Sequence, residues 1–263
     1  MNLYHALRHR ELLAAMLKRE MLGRYRGSWL GLLWSLLTPL LLLLVYVFVF
    51  GVVFEARWPQ VDAGSGDFAA LLFAGISVYF FCAEVITGSP KLVVDNANYV
   101  KKVVFPLDVL VWVKVLAAML HFLISLALLI AFVWWRLGPP AIWLLTLPLL
   151  IVPLTLLLTG IAWLFSGIGV YVRDLTYVAG FLATALMFLS PVFYPVSAVP
   201  ESFGLVMELN PLSFYIEAFR TVVVLREPLD IATLSRAWLI ALAVFFAGFA
   251  LFSRVRRGFA DVL

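Results

Sequence analysis

The chain has 263 residues, 65% hydrophobic and 13% charged, with a net charge of +4 and a pI near 9.3. A soluble protein of this length carries roughly 25% charged residues. The shortfall here is gathered into long uncharged runs, which excludes an ordinary soluble domain and points to a chain that crosses a membrane several times. The basic excess reads as the positive-inside bias of such a chain rather than as a nucleic-acid footprint. The lone Cys82 excludes an internal disulfide, and no zinc-ligand spacing occurs.

Residues 4–26 read as a helix. Projected at about 100° per residue, Leu12, Leu13, Met16, Leu17 and Met21 share one half, with Arg8, Lys18 and Arg19 mostly opposite and Glu20 inside the apolar half. This predicts an amphipathic helix lying in the membrane interface over 1–27; the alternative is a cytoplasmic helix packed on a partner. Glu20 and Arg24 stand four apart in the order that favours an ion pair. Gly23, Gly27 and Gly31 flank Arg24, Tyr25 and Arg26, a basic junction where the chain can turn from the surface into the bilayer. The first 27 residues are charged throughout, and no cleavable signal peptide is visible.

The first span covers about 29–54, and a charged loop with a GSG turn follows at 55–67. The second span, 68–88, contains a single acid, Glu84. In 89–106 (SPKLVVDNANYVKKVVFP), Ser89 and Pro90 have the form of a helix N-cap and first residue. The third span runs over about 107–135, and RLGPP at 136–140 turns the chain back. The uncharged stretch 137–172 has 36 residues. Two spans and a turn need more than about 40, so it holds one span with an irregular start at Pro148 and Pro153. YVRD at 171–174 leads to a fifth span from Leu175, interrupted at Pro191 and Pro195. Segment 191–230 is too apolar for a simple loop and too broken by Pro200, Pro211 and Pro228 for a straight span. It predicts short helices dipping into the outer face, tolerated where protein or water covers them. The last span covers about 237–253. No internal repeat is visible, which weighs against an inverted-repeat transporter.

The expected fold is therefore an all-α membrane protein of six transmembrane helices. With both termini cytoplasmic, 14 of the 19 Lys and Arg residues lie inside and eight acids outside. Trp29 and Trp34 fall toward the inner face, and Trp58, Trp134, Trp135, Trp143 and Trp238 toward the outer one.

No catalytic machinery is apparent. The chain has no G-x-x-x-x-G-K-[ST] loop, no H-E-x-x-H and no carboxylate cluster on one face. An intramembrane acid is functional by default. Glu84 is five residues from Ser89, and Lys114 six from Asp108. At 1.5 Å per residue the two lie at similar depth, which predicts a structural ion pair; the alternative is a proton relay. As a lone pair, Glu84 and Lys114 would regain on double charge reversal what either single reversal loses. His121, midway along the third span, reads as a helix–helix hydrogen-bonding residue. Among 22 Phe, 9 Tyr and 9 Trp, Tyr46, Phe50, Tyr79, Phe193, Tyr194, Phe214 and Tyr215 are candidates for a ring-lined path and gate. The plain alternative is lipid belt and helix packing.

GRYRGSWLGLLWSLLTPLL, NANYVKKVVFPLDVL, YVRD after the fourth span and NPLSFYIEAFR before the last, in that order, resemble the permease subunit of ABC exporters of the second type, in the polysaccharide branch. The resemblance covers essentially the whole chain. It implies a single transmembrane domain over 1–263, with an interface helix (1–27), spans one to five (28–190), a coupling helix at about 89–104, periplasmic gate helices (191–230), and a last span with a cytoplasmic tail (231–263). It implies a homodimer in the bacterial inner membrane working with two separate ATP-binding subunits, which would hold the ATP and magnesium. The implied substrate is an undecaprenyl-pyrophosphate-linked, O-antigen-like polysaccharide. Asn98, Tyr99, Lys101 and Lys102 would contact the ATPase. Arg24, Tyr25 and Arg26 would receive the pyrophosphate, although anchoring to anionic lipid is an equal reading of that junction. Other readings are a permease for a drug or small lipid, a scaffold without transport, and a membrane enzyme acting on polyprenyl phosphates. The scattered cytoplasmic acids argue against the enzyme.

Overall fold

The computed structural model describes residues 9–24, 27–53, 65–100 and 105–263, and every regular element among them is helical. The elements are α1 (Arg10–Arg24), α2 (Trp34–Tyr46), α3 (Ser65–Gly88), α4 (Ala97–Val100), α5 (Asp108–Leu137), α6 (Leu147–Gly169), α7 (Leu175–Leu189), α8 (Gly204–Leu209), α9 (Pro211–Phe219), α10 (Ile231–Val255) and α11 (Phe259–Val262). Four segments among the described residues are long and apolar enough to cross a membrane: Asp67–Gly88, Asp108–Leu137, Ile142–Gly169 and Ile231–Gly258. Trp34–Val49 and Leu175–Leu189 are shorter apolar helices. The chain is an all-α, multi-pass membrane protein.

The centre of the fold is α3. Its apolar window is 83% buried, against 22% for the segment that contains α10. Ala69, Ala70, Ala74 and Gly75 give α3 a narrow waist, so neighbouring helices approach closely. Around it pack α5, α7, α9 and the π-type coil Val47–Val53 that extends α2. Phe81 stacks on Phe122 with ring centroids 5.3 Å apart, and Phe122 meets Phe219 edge-on at 5.3 Å, which joins α3, α5 and α9. A second focus is Trp163 on α6, fully buried against Phe245 (5.0 Å), Phe249 (5.3 Å) and Trp112 (5.8 Å). The closest helix pair is α6 with α10, whose backbones meet at Gly160 and Gly248.

Of the irregular start expected at Pro148 and Pro153, the first part is present: a 3₁₀ turn over Ile142–Thr146 leads into α6, with Pro148 in the first turn, where a missing N–H costs no bond, whereas Pro153 lies inside the continuous helix. The helix start expected at Ser89 and Pro90 is not. The Ser89 hydroxyl donates back to the Val85 carbonyl at 2.5 Å and so closes α3, and 89–96 is a series of tight turns before the four-residue α4. A serine donating to the i−4 carbonyl finishes one helix; it does not cap the next.

In α1 the projected half is the covered one. Met16 is buried and Leu12 and Leu13 are half-buried, packed on Val109, Leu110 and Val113 of α5. Protein therefore covers part of the face read as lying on lipid. The expected Glu20–Arg24 pair is replaced, because Arg24 reaches across to Glu84.

The start of α10 is set by Asp230. Its carboxylate accepts from the Thr233 amide (2.8 Å), from the Ala232 amide (3.4 Å) and from the Thr233 hydroxyl. The Thr233 side-chain bond, then its backbone bond, hold the Asp230 carboxyl below the usual carboxylate range. A depressed acid stabilises the folded state above its unfolded pKa, and that contribution is lost as pH falls through the folded value. Protection of the 232 and 233 amides, taken relative to their intrinsic exchange rates at each pH, is therefore expected to fall on acidification in the wild type. In Asp230→Ala that protection is expected to be low throughout and to lose the acid step.

Candidate functional site

Glu84 stands on the most enclosed helix, one turn before its end. Lys114 and His121 are seven residues apart on α5, two turns and hence one face. Arg24 is the last residue of α1. The fold brings these four together. The Glu84 carboxylate takes Arg24 Nη2 at 2.5 Å and Lys114 Nζ at 3.7 Å on Oε1, and His121 Nδ1 at 3.2 Å on Oε2. Arg24 Nη1 also lies 3.1 Å from His121 Nδ1. One ring nitrogen cannot serve both neighbours in the same way. With a proton on Nδ1 it donates to Glu84, and without one it accepts from Arg24. Lys114, His121 and Glu84 are largely enclosed, at 13%, 17% and 21% exposed, whereas Arg24 is exposed at the edge of the cluster.

Gly88 leaves room for this arrangement. A Cβ there would stand 2.3 Å from Lys114 Cε and 2.7 Å from Nζ, so a side chain at 88 would push the end of the lysine aside. The cluster forms one wall of a cavity of about 190 Å³ between α2, α3 and α5. Trp34, Thr38 and Phe80 line its other sides, and Trp34 and Phe80 are themselves exposed on the helix surface.

Depth counting brings Glu84 and Lys114 to one level, but the nearest cation is Arg24. That changes the outcome of charge reversal. Glu84→Lys with Lys114→Glu would set a lysine against Arg24, so the double reversal is expected to recover only part of the melting temperature lost in Glu84→Lys. Full recovery in purified protein would make Arg24 a bystander.

The other predicted residues occupy three places. On the segment after α3, Asn98 is exposed and Tyr99 half-buried. Tyr99 accepts from Arg19 Nη1 at 2.6 Å and stacks on Phe105 at 4.4 Å, which ties α4 to α1. Toward the chain's broken region, Phe193, Tyr194 and Phe214 are half-buried, and the Tyr194 hydroxyl donates to the Phe188 carbonyl at 2.7 Å. A cavity of about 330 Å³ opens there, lined by Phe214, Tyr215, Glu208, Glu217 and Arg236 among others. Within the core, Tyr215 and Tyr79 are buried, Tyr79 donating to the Ala183 carbonyl at 3.2 Å, and Tyr46 packs against the same core. Tyr25, Arg26, Lys101, Lys102 and the side chain of Phe50 lie outside the described residues.

Sequence reasoning missed Arg220. It is buried, donating from Nε to the Leu71 carbonyl (2.9 Å), from Nη2 to the Val192 carbonyl (2.8 Å) and from Nη1 to Glu217 (2.7 Å). Its place in an apolar run, three residues after Glu217, was the available signal. Among the described residues no group of His, Cys, Asp or Glu is arranged to hold a metal.

A charge cluster within the apolar helices, beside an aromatic-walled cavity, marks a functional site. The family of the ABC-2 type transporter matches residues 11–224. Over 256 residues the chain is 28% identical to an O-antigen export system permease protein RfbA of Myxococcus xanthus, covering 96% of this chain and 95% of that one. It is 26% identical over 254 residues to the protein of the same name in Klebsiella pneumoniae, with 96% and 95% covered. It is also 24% identical over 243 residues to the polysialic acid transport protein KpsM of Escherichia coli, with 90% and 91% covered. With its helical fold and most of its length matched, this chain belongs to the ABC-2 type transporter family.

Proposed function

We propose that the chain is the permease subunit of an ABC exporter that moves a lipid-linked, O-antigen-like polysaccharide across the bacterial inner membrane. The observation that carries this reading is end-to-end similarity, over 96% of the chain, to O-antigen export permeases. The absence of a phosphate loop from the sequence accords with a motor held in other chains, two ATP-binding subunits serving a homodimer of this one.

In this reading the four long spans are joined by Trp34–Val49 and Leu175–Leu189 to make six crossings, with both termini cytoplasmic. The segment 89–104 seats on the ATPase through Asn98, Tyr99, Lys101 and Lys102. The Arg19–Tyr99 bond supports a role for α1 in that contact, because movement of the segment pulls directly on α1. Arg24, Tyr25 and Arg26 receive the pyrophosphate of the carrier at the cytoplasmic side. Segment 191–230 gates the periplasmic mouth, and its rings, Phe193, Tyr194 and Phe214, offer apolar faces to sugar C–H groups. Tyr46, Tyr79 and Tyr215 stiffen the helices behind them.

Deleting the gene tests the reading. Polymer is expected to accumulate on its lipid carrier inside the cell while surface polymer disappears; unchanged surface polymer would overturn it. Complementation with Arg24→Ala plus Arg26→Ala is expected to leave export impaired with the ATPase still bound.

A further inference from the structure

The charge cluster holds more donors than its one carboxylate can use. Arg24 carries five N–H groups and Lys114 three. Among the described residues Arg24 meets Glu84 and the His121 ring, and Lys114 meets Glu84. Arg24 and Lys114 bring two positive charges against the single negative charge of Glu84. Arg24 is exposed at the edge of the cavity, so the surplus positive charge faces whatever enters it and favours an anion. Its flanking rings Trp34 and Phe80 are 38% and 47% exposed, so it opens at the surface of the helices. A ligand suited to it carries its charge at the head of an apolar chain.

We propose that Glu84 is an internal counter-ion standing where a phosphate binds: the phosphate or diphosphate head of an amphiphile enters the cavity, takes Arg24 and Lys114 from Glu84, and leaves Glu84 with His121. This rests on the export reading and extends its anion site to Lys114 and His121, inside the helices. Geometry makes the exchange possible. Glu84 Oε1 holds both cations, whereas Oε2 faces His121 Nδ1, so the carboxylate keeps a partner when Oε1 is displaced. The exchange also has a mechanical consequence. Two side chains tether α1 at this side, Arg24 to Glu84 and Arg19 to Tyr99, five residues apart. Moving Arg24 from Glu84 to a ligand shifts the end of α1, and Arg19 conveys the shift to the segment that follows α3.

The test uses the full chain in phosphatidylcholine nanodiscs, with farnesyl diphosphate and farnesol as probes. Farnesyl diphosphate is expected to bind and farnesol not. Removing a competing carboxylate is expected to tighten binding about tenfold in Glu84→Gln, and removing a charge-assisted donor to weaken it about tenfold in Lys114→Met. If Glu84→Gln melts early, farnesyl diphosphate is expected to raise its melting temperature more than that of the wild type. Gly88→Ala, which displaces Lys114 without touching Glu84, is expected to weaken binding as well. Equal competition by phosphatidylglycerol assigns the site to a headgroup phosphate, and preference for the prenyl diphosphate assigns it to a lipid carrier; either supports the exchange. Binding unchanged or weaker in Glu84→Gln, or farnesol binding as tightly as the diphosphate, overturns it. The deletion phenotype is read in cells as exported polymer and stands or falls separately.

Discussion

Arg220→Ala is expected to destabilise the protein by about 1–3 kcal/mol, the cost of leaving a buried acceptor unpaired, since its ion-pair partner Glu217 is 36% exposed and stays solvated. The side chain is 1% exposed and holds three elements together: α3 at the Leu71 carbonyl, the turn at the Val192 carbonyl, and α9 at Glu217. Truncation leaves the Val192 carbonyl without that donor and Glu217 without its cation, and it opens a void beside Gly75. Gly75 is part of the same device, since a Cβ there would stand 2.8 Å from Arg220 Nη2 and 3.3 Å from the Val192 carbonyl. Arg220→Lys is expected to fall between wild type and alanine, because one ammonium cannot span three acceptors that a planar fork reaches. Thermal melting in detergent measures the series. A wild-type transition in Arg220→Ala would show that the clamp carries no stability.

Gly248→Val is expected to have an effect of similar size through packing alone. A Cβ at Gly248 would stand 2.2 Å from the Gly160 carbonyl oxygen, and one at Gly160 would stand 2.5 Å from the Val244 carbonyl oxygen. Both obstacles are backbone, so the substituted helix must move away bodily. Overpacking in a core costs about 1–3 kcal/mol where side chains can adjust; here they cannot, and the cost is expected at or above the upper end. Separation of α6 and α10 would also loosen Trp163 from Phe245 and Phe249. Gly248→Ala is the milder test and is expected to lower the melting temperature measurably. A disulfide probe placed across α6 and α10 should lose efficiency in the same order. If Gly248→Val melts like the wild type and retains that cross-link, close backbone packing is not what joins these helices.

Both effects sit at places where residues far apart in the chain meet, and this is where the sequence was hard to read. The long spans were legible because each is a continuous apolar run, and backbone hydrogen bonds satisfied within one helix are what a bilayer demands. Pro148 announced the broken start of α6, because a proline in the first turn removes no bond that the helix would make. The covered face of α1 followed from its 3.6-residue period, although what covers it, the start of α5, did not. At Ser89 local reasoning failed, since the same hydroxyl can cap a helix or close the one before it, and Val85 was nearer.

Residue spacing by itself determined the helical class, the apolar segments and the common depth of Glu84 and Lys114, because rise per residue and hydropathy are properties of one helix at a time. The tertiary structure decided the rest: that Arg24, sixty residues away in the chain, is the nearest partner of Glu84, that His121 lies between them, and that Arg220 is sealed in the core. Those choices depend on how each helix is turned about its axis and which neighbour it meets. That rotation is set by packing of small residues such as Gly88, Gly160 and Gly248 against other helices, information spread over the whole bundle.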